Sequence, residues 1–453
     1  MPSLPYTLFY FLIALLVLIT FHEYGHYWVA RRLGVKVLRF SIGFGTALWR
    51  RQRTPESTEF VVAAIPLGGY VKMVDEREGE VAPADLPYAF NRQPVWKRSL
   101  IVAAGPVFNF LLAVLLYWNV FMLGESGLKP LLGPVPAESL SGRAGFLEGD
   151  EILTVGGDTT PTWGLALTAL IEKALVDEDV TLVVRRGTDD EKVLSLHVPR
   201  GVADKPEKLR ENLGFQLWQP DLAPVIGRVE PGSAADKAGL KPGDHLISMD
   251  GQPLGKWQQW VDYVRSKPAT PIQLVLEREG VRSKLEVTPA AVDGAGGQVG
   301  FIGARPEVPS NLFEAMTVTY RLAPVPALAA AWKRTVDYCL LTLRIMGRMV
   351  VGQASVDNLS GPISIAQYAG QSAKLGLVQF LGFLASVSIG LAVLNMLPIP
   401  VLDGGHLLFY FIEGVKGRPL SDATQALFQQ AGLFVLLLLI ALAFYLDIER
   451  LLT

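Results

Sequence analysis

The chain has 453 residues, half of them hydrophobic, with a mean hydropathy of +0.32. Charged residues make up 19%, below the roughly one quarter usual in soluble chains. A net charge of −2 gives no reason to expect a nucleic-acid partner, and the single Cys339 excludes an intramolecular disulfide. That balance is one of apolar membrane segments joined to soluble domains.

In chain order, the first expected element is a membrane helix over residues 1–30. Residues 2–21 carry no charge, and a bilayer core needs about 20 apolar residues to cross. With no basic n-region and no small-x-small site before the polar cluster, it reads as a retained span rather than a cleaved leader. Residues 31–98 form a loop with 12 Lys or Arg against 7 Asp or Glu. The positive-inside rule puts that loop in the cytoplasm and the N-terminus outside. Within it, Glu59–Met73 (EFVVAAIPLGGYVKM) predicts a hairpin turning at Gly68-Gly69. It either dips towards the membrane, where protein or a cavity must satisfy its backbone, or stands as an ordinary cytoplasmic hairpin.

Residues 99–124 are the second expected span, which delivers 125–375 to the outside. That region holds an internal repeat: 144–157 read AGFLEGDEILTVGG and 238–251 read AGLKPGDHLISMDG, offset by 94 residues throughout. A strand-like stretch follows each copy, Val180–Arg185 and Ile272–Glu277. A period this long means two whole domains, at 127–220 and 221–305, rather than a solenoid. The AGLxxGDxIxxxxG pattern resembles the PDZ domain, a small β-rich fold that binds extended peptides at a sheet edge. The two domains then either recognise substrate or act as spacers. Residues 306–375 are expected to be amphipathic and helical. The run 332–351 is interrupted by Lys333, Arg334, Asp337, Arg344 and Arg348, which fits an amphipathic helix lying on the membrane or against the other spans better than a span of its own.

Two uncharged segments remain, 376–402 and 426–446. They complete an α-helical core of four spans with the two β domains inserted outside.

The chemistry concentrates at HEYGH, residues 22–26. On a helix His22 and His26 share a face about 6 Å apart along the axis, so both imidazoles reach one metal. Zinc lowers the pKa of a water it binds from about 15.7 towards about 7. Glu23, one step round the helix, is placed to accept the proton. Carboxylate and imidazoles at the end of a bilayer helix are costly without such a role. Catalytic zinc usually has a third protein ligand. His197 and His245 belong more simply to the outer domains. The run Asn395–Leu408 (NMLPIPVLDGGHLL) offers Asp403 and His406, after a helix broken by Pro398 and Pro400.

HExxH in a first span with NxxPxPxLDGG in a later one resembles the site-2 protease family of intramembrane metalloproteases. RFSIGFG (Arg39–Gly45), PLGGYVKM (Pro66–Met73), GPVFNF (Gly105–Phe110) and SGPISIA (Ser360–Ala366) stand around two PDZ-like domains in the order of a bacterial branch. The resemblance implies Zn2+ on His22, His26 and Asp403, Glu23 as base, and His406 outside the ligand set. It also implies that Asn395 and Pro398 help hold an unwound substrate segment and that the Gly68-Gly69 hairpin pairs with it as a strand. The implied substrates are single-span membrane proteins, such as an anti-sigma factor already trimmed by another protease, and remnant signal peptides. The implied location is the bacterial inner membrane, with the PDZ-like domains periplasmic and the zinc near the cytoplasmic side. A silent tethering scaffold and a metal transporter are the competing classes. The intact HEYGH and LDGG disfavour the first, and the lack of further ionisable residues along the spans disfavours the second.

Overall fold

The computed structural model describes residues 2–199, 202, 212–294, 297–309, 312–352 and 361–452; Ser360 of the SGPISIA run lies outside them. Helix α1 (Leu4–Arg32) carries the HEYGH run. Its last turn holds Arg31 and Arg32, cations suited to a helix C-terminus. Gly34, just beyond the cap with φ 82, adopts the left-handed conformation that ends helices.

Strands β1 (Val37–Arg51) and β2 (Glu59–Met73) pair antiparallel, but not as a straight hairpin. Ile42 faces both Gly69 and Val62, and Trp49 also faces Val62. β1 folds back on itself at Gly43 and Gly45, whose φ values of 91 and 86 suit glycine. The small sheet therefore runs 69–73, 37–42, 59–62, 49–51 from edge to edge. The chain reverses over 52–58 and again within β2 between 62 and 69, since 59–62 and 69–73 run in opposite senses on the two sides of 37–42. The turn expected at Gly68-Gly69 thus falls just before the pair, and neither glycine has positive φ. Close packing requires them instead. A Cβ on Gly69 would lie 2.9 Å from Glu23 Cγ, and one on Gly68 would enter the Phe44 ring.

Helix α2 (Val95–Leu123) packs along α1. The middle region forms two units, each a four-stranded antiparallel sheet with one longer helix. In the first the strand order is Asp158–Thr159, Glu151–Val155, Asp179–Arg186, Asp190–His197, with helix α3 (Trp163–Ala174). In the second it is Gln252–Pro253, His245–Met249, Ile272–Arg278, Val281–Val287, with helix α4 (Trp257–Arg265). Each has its own core, around Phe146 and Phe215 in one and Trp257 and Trp260 in the other. The repeated aspartates are fully buried and perform the same task twice. Asp150 accepts from Nε and Nη2 of Arg186, and Asp244 accepts from Nε and Nη2 of Arg278.

The region after the second unit is not purely helical. Thr317–Tyr320 pairs antiparallel with Glu125–Leu128, a strand favoured by β-branched Thr317, Val318 and Thr319. Helix α5 (Pro324–Val350) starts earlier than the run 332–351, because proline is tolerated in a first helical turn. Its Leu341 and Ile345 pack into the first unit's core, and Lys333 pairs with Asp158 at 3.0 Å. On its other side Arg334 pairs with Glu125 at 2.6 Å and lies 4.8 Å over the Tyr117 ring of α2. The first unit is thus seated on α5, and α5 on the helical core.

Helices α6 (Pro362–Leu375), α7 (Leu377–Met396), α8 (Asp403–Lys416) and α9 (Asp422–Leu452) complete the chain. Asp447 of α9 accepts the backbone N–H groups of Gly361, Ile363 and Ser364 and caps α6. Among the described residues four helices are long and apolar enough to cross a bilayer: α1, α2, α7 and most of α9.

Candidate metal centre and active site

The centre is built where α1, α2 and the start of α8 meet. His22 and His26 stand one turn apart with their rings edge to face, centroids 4.9 Å apart. Two glycines let the helices approach this closely. A Cβ on Gly25 would lie 2.4 Å from Ala104 O, and one on Gly105 would lie 2.3 Å from His26 Nε2. Gly105→Ala therefore adds a methyl where an imidazole must stand. Alanine is the better helix former by about 1 kcal/mol, so a gain in helix propensity accompanies the clash. The expected result is a normally folded chain with reduced zinc content, measured per mole of purified protein; full zinc content would show that the ring has room to move.

Asp403 comes from the far end of the sequence. α7 stops at Met396, and Pro398 and Pro400 carry the chain through an irregular stretch in which Val401 has φ 99. Asp403 opens α8, and the glycines behind it pack without side chains. A Cβ on Gly404 would lie 2.1 Å from Leu397 O, and one on Gly405 would lie 2.4 Å from Ile399 O. The other end of α8 is anchored by Glu413, which pairs with buried Arg98 of α2 at 2.6 Å.

Three donor atoms converge. Asp403 Oδ2 lies 3.2 Å from His22 Nε2 and 3.6 Å from His26 Nε2, and the two nitrogens are 3.3 Å apart. Zinc–ligand distances of about 2.0–2.1 Å in a tetrahedral site place donors about 3.3 Å from one another. Asp403 Oδ2 is buried and accepts no hydrogen bond among the described residues, although two imidazoles stand beside it. An orphaned carboxylate oxygen facing two ring nitrogens fits a shared cation, and the set matches zinc in donor type. His26 Nδ1 donates to Ile101 O at 2.8 Å, which leaves Nε2 its lone pair.

Glu23 sits beside this triangle and lines a cavity of about 520 Å3 with His26, Asp403, His406, Arg77 and Tyr410. His406 faces that cavity but is not one of the three converging donors. Burial pushes its imidazole below the ordinary value, with Asp403 opposing. Val71 and Met73 of β2 line the cavity too. Gly69 packs on Glu23, and no strand covers that edge of β2 among the described residues. Asn395 and Pro398 stand on the segment leading to Asp403, outside the cavity lining. His197 and His245 belong to the sheets of the two middle units. Sequence reasoning gave Gly105, Ile101 and Asn109 no role. The signal available was GPVFNF itself, which puts an amide inside an apolar helix.

The model of peptidase family M50 matches residues 10–439. The regulator of sigma-E protease of Escherichia coli is 43% identical over 454 residues, covering all of both chains. That of Salmonella typhi is 42% identical over 453 residues, again covering all of both. A Neisseria meningitidis chain named as a candidate zinc metalloprotease is 44% identical, covering 99% of this chain and 100% of its own. Among solved structures, the PDZ domain of an SdrC-like protein from Listeria monocytogenes matches at 20% identity and a TM-score of 0.17. It covers 20% of this chain and 93% of its own. With the family model spanning nearly the whole sequence and full-length relatives above 40% identity, the chain belongs to peptidase family M50, as an integral-membrane zinc metalloprotease.

Proposed function

We propose that this protein cuts single-span membrane proteins within the bacterial inner membrane, with zinc held by His22, His26 and Asp403. The observation that carries this reading is the donor triangle with Glu23 beside it, set against the uncovered β2 edge at Gly69. A helical substrate shields its amides, so a stretch must unwind before its peptide bond is exposed. The β2 edge offers unpaired backbone groups to such a stretch, and Asn395 and Pro398 hold it from the opposite side. Glu23 accepts a proton from the attacking water and passes it to the leaving amine. The cavity beyond Arg77 and His406 supplies that water from the cytoplasmic side.

In this reading the helices that can cross the membrane do so four times. The N-terminus and the two middle units, as tandem PDZ-like domains, lie in the periplasm. The relatives named regulators of sigma-E protease support a role in envelope stress signalling. The substrate would be an anti-sigma factor after a first cleavage outside the membrane, with remnant signal peptides as further substrates.

The two outer domains would then filter substrates, since they stand on the side opposite the proposed zinc. The test uses two single-span model substrates, one with a folded outer domain and one trimmed to a stub. Purified protein should cut the stub, lose that activity to a zinc chelator and regain it with zinc. Deleting residues 127–305 should leave stub cleavage within several-fold and expose the untrimmed substrate to cutting. Chelator-resistant cleavage would overturn the metalloprotease chemistry. Loss of stub cleavage on deletion, with zinc and folding intact, would make the domains docking sites instead of a filter.

A further inference from the structure

His26 is held by a backbone carbonyl, which no side-chain substitution removes, but His22 has a different neighbour. Its Nδ1 lies 3.1 Å from the side-chain amide of Asn109 on α2. Asn109 is fully buried. It is tied to α7 through its backbone, because Ser388 Oγ donates to Asn109 O at 2.8 Å. As placed, Nδ2 faces the ring, and Oδ1 is buried without a hydrogen-bond partner among the described residues.

The side of the ring facing Asp403 decides which amide atom belongs there. His22 Nε2 is one of the three converging donors, and a nitrogen that binds a cation gives up its proton. The neutral imidazole then carries its proton on Nδ1. Two N–H groups cannot face each other at hydrogen-bond distance, and the only acceptor the side chain of Asn109 offers is Oδ1. The oxygen and nitrogen of an amide fill nearly the same volume, so exchanging them disturbs no neighbour.

We propose that Asn109 is a positioning residue for the metal. Its Oδ1, turned towards the ring, accepts the Nδ1 proton of His22 and holds that imidazole in the tautomer whose Nε2 can bind zinc. This rests on the zinc reading above and deepens it. An amide suits the position because it orients the ring without adding charge. A carboxylate there would also accept the proton, but as a third acid beside Asp403 and Glu23.

The test is a zinc competition titration of the purified full-length protein against a chelator of known affinity. The unaltered chain is compared with Asn109→Leu, Asn109→Ala and Asn109→Asp, each checked by the thermal transition of its zinc-stripped form. Loss of an outer-shell partner typically weakens metal binding by about 10–100-fold. That loss is expected for Leu and for Ala, whereas Asp, which keeps an acceptor, should bind zinc close to the unaltered chain. Should the Leu variant fail to fold, the comparison of Ala with Asp decides. Leu or Ala variants that bind zinc as tightly as the unaltered chain would overturn the proposal. So would an Asp variant as weak as the apolar ones, since packing and not proton acceptance would then matter. An unaltered chain that holds no zinc would overturn the zinc reading itself, a separate outcome.

Discussion

Glu23→Gln is expected to abolish proteolysis while leaving zinc in place. The substitution keeps the size of the side chain, so the packing of Glu23 against Gly69 survives. All three converging donors remain, because Glu23 is not among them. What disappears is the group that takes a proton from water and returns it to the amine. General acid–base catalysis typically contributes about 10²–10⁴-fold, and Glu23 would serve in both directions, so a fall of at least about a thousandfold is expected. Zinc content per mole and cleavage of the trimmed substrate, measured on one preparation, give the answer. Turnover near that of the unaltered chain would remove Glu23 from its role, while loss of zinc would make it a structural partner of the site.

Asp403→Ala should lose zinc and activity together, whereas His406→Ala should keep its zinc. Both residues open the same helix and face the same cavity, so sequence spacing alone does not choose between them. The geometry does: Asp403 Oδ2 lies within 3.6 Å of both imidazole nitrogens, and His406 is not in that group. Outer-shell losses typically cost about 10–100-fold in affinity, so removal of a direct ligand should cost more than about 100-fold. Asp403→Asn should behave like the alanine variant, because a neutral amide replaces the anionic donor. Zinc lost from the His406 variant and retained by the Asp403 variants would reverse the assignment of the third ligand.

Much of this site was legible before any fold was known. HEYGH needs only the helical period to bring its two imidazoles to one face, and an apolar run of membrane length makes that period the default. Asp403 stood out for a local reason as well, as the first acid after an uncharged stretch broken by two prolines. The repeat was equally plain, since Gly-rich turns recur at one fixed offset. The Gly68-Gly69 pair marked a reversal of β2 that ends just before it, but for another reason than turn conformation. A glycine pair in a β-rich run signals a turn when only the neighbours in sequence are considered, yet here both glycines make room for Glu23 and Phe44.

Sequence by itself determined the donor types, the helix that carries two of them and the apolar segments around them, because these depend on residues within a turn or two of each other. Only the tertiary structure decided what meets across helices. It joined Asp403 to histidines nearly 400 residues away and set Ile101 O and the Asn109 amide behind the two rings. It also found Arg186 and Arg278 as partners for the repeated aspartates. Such contacts depend on how closely two backbones approach, which Gly25 and Gly105 permit through side chains they do not have. No periodicity in a single segment encodes that distance.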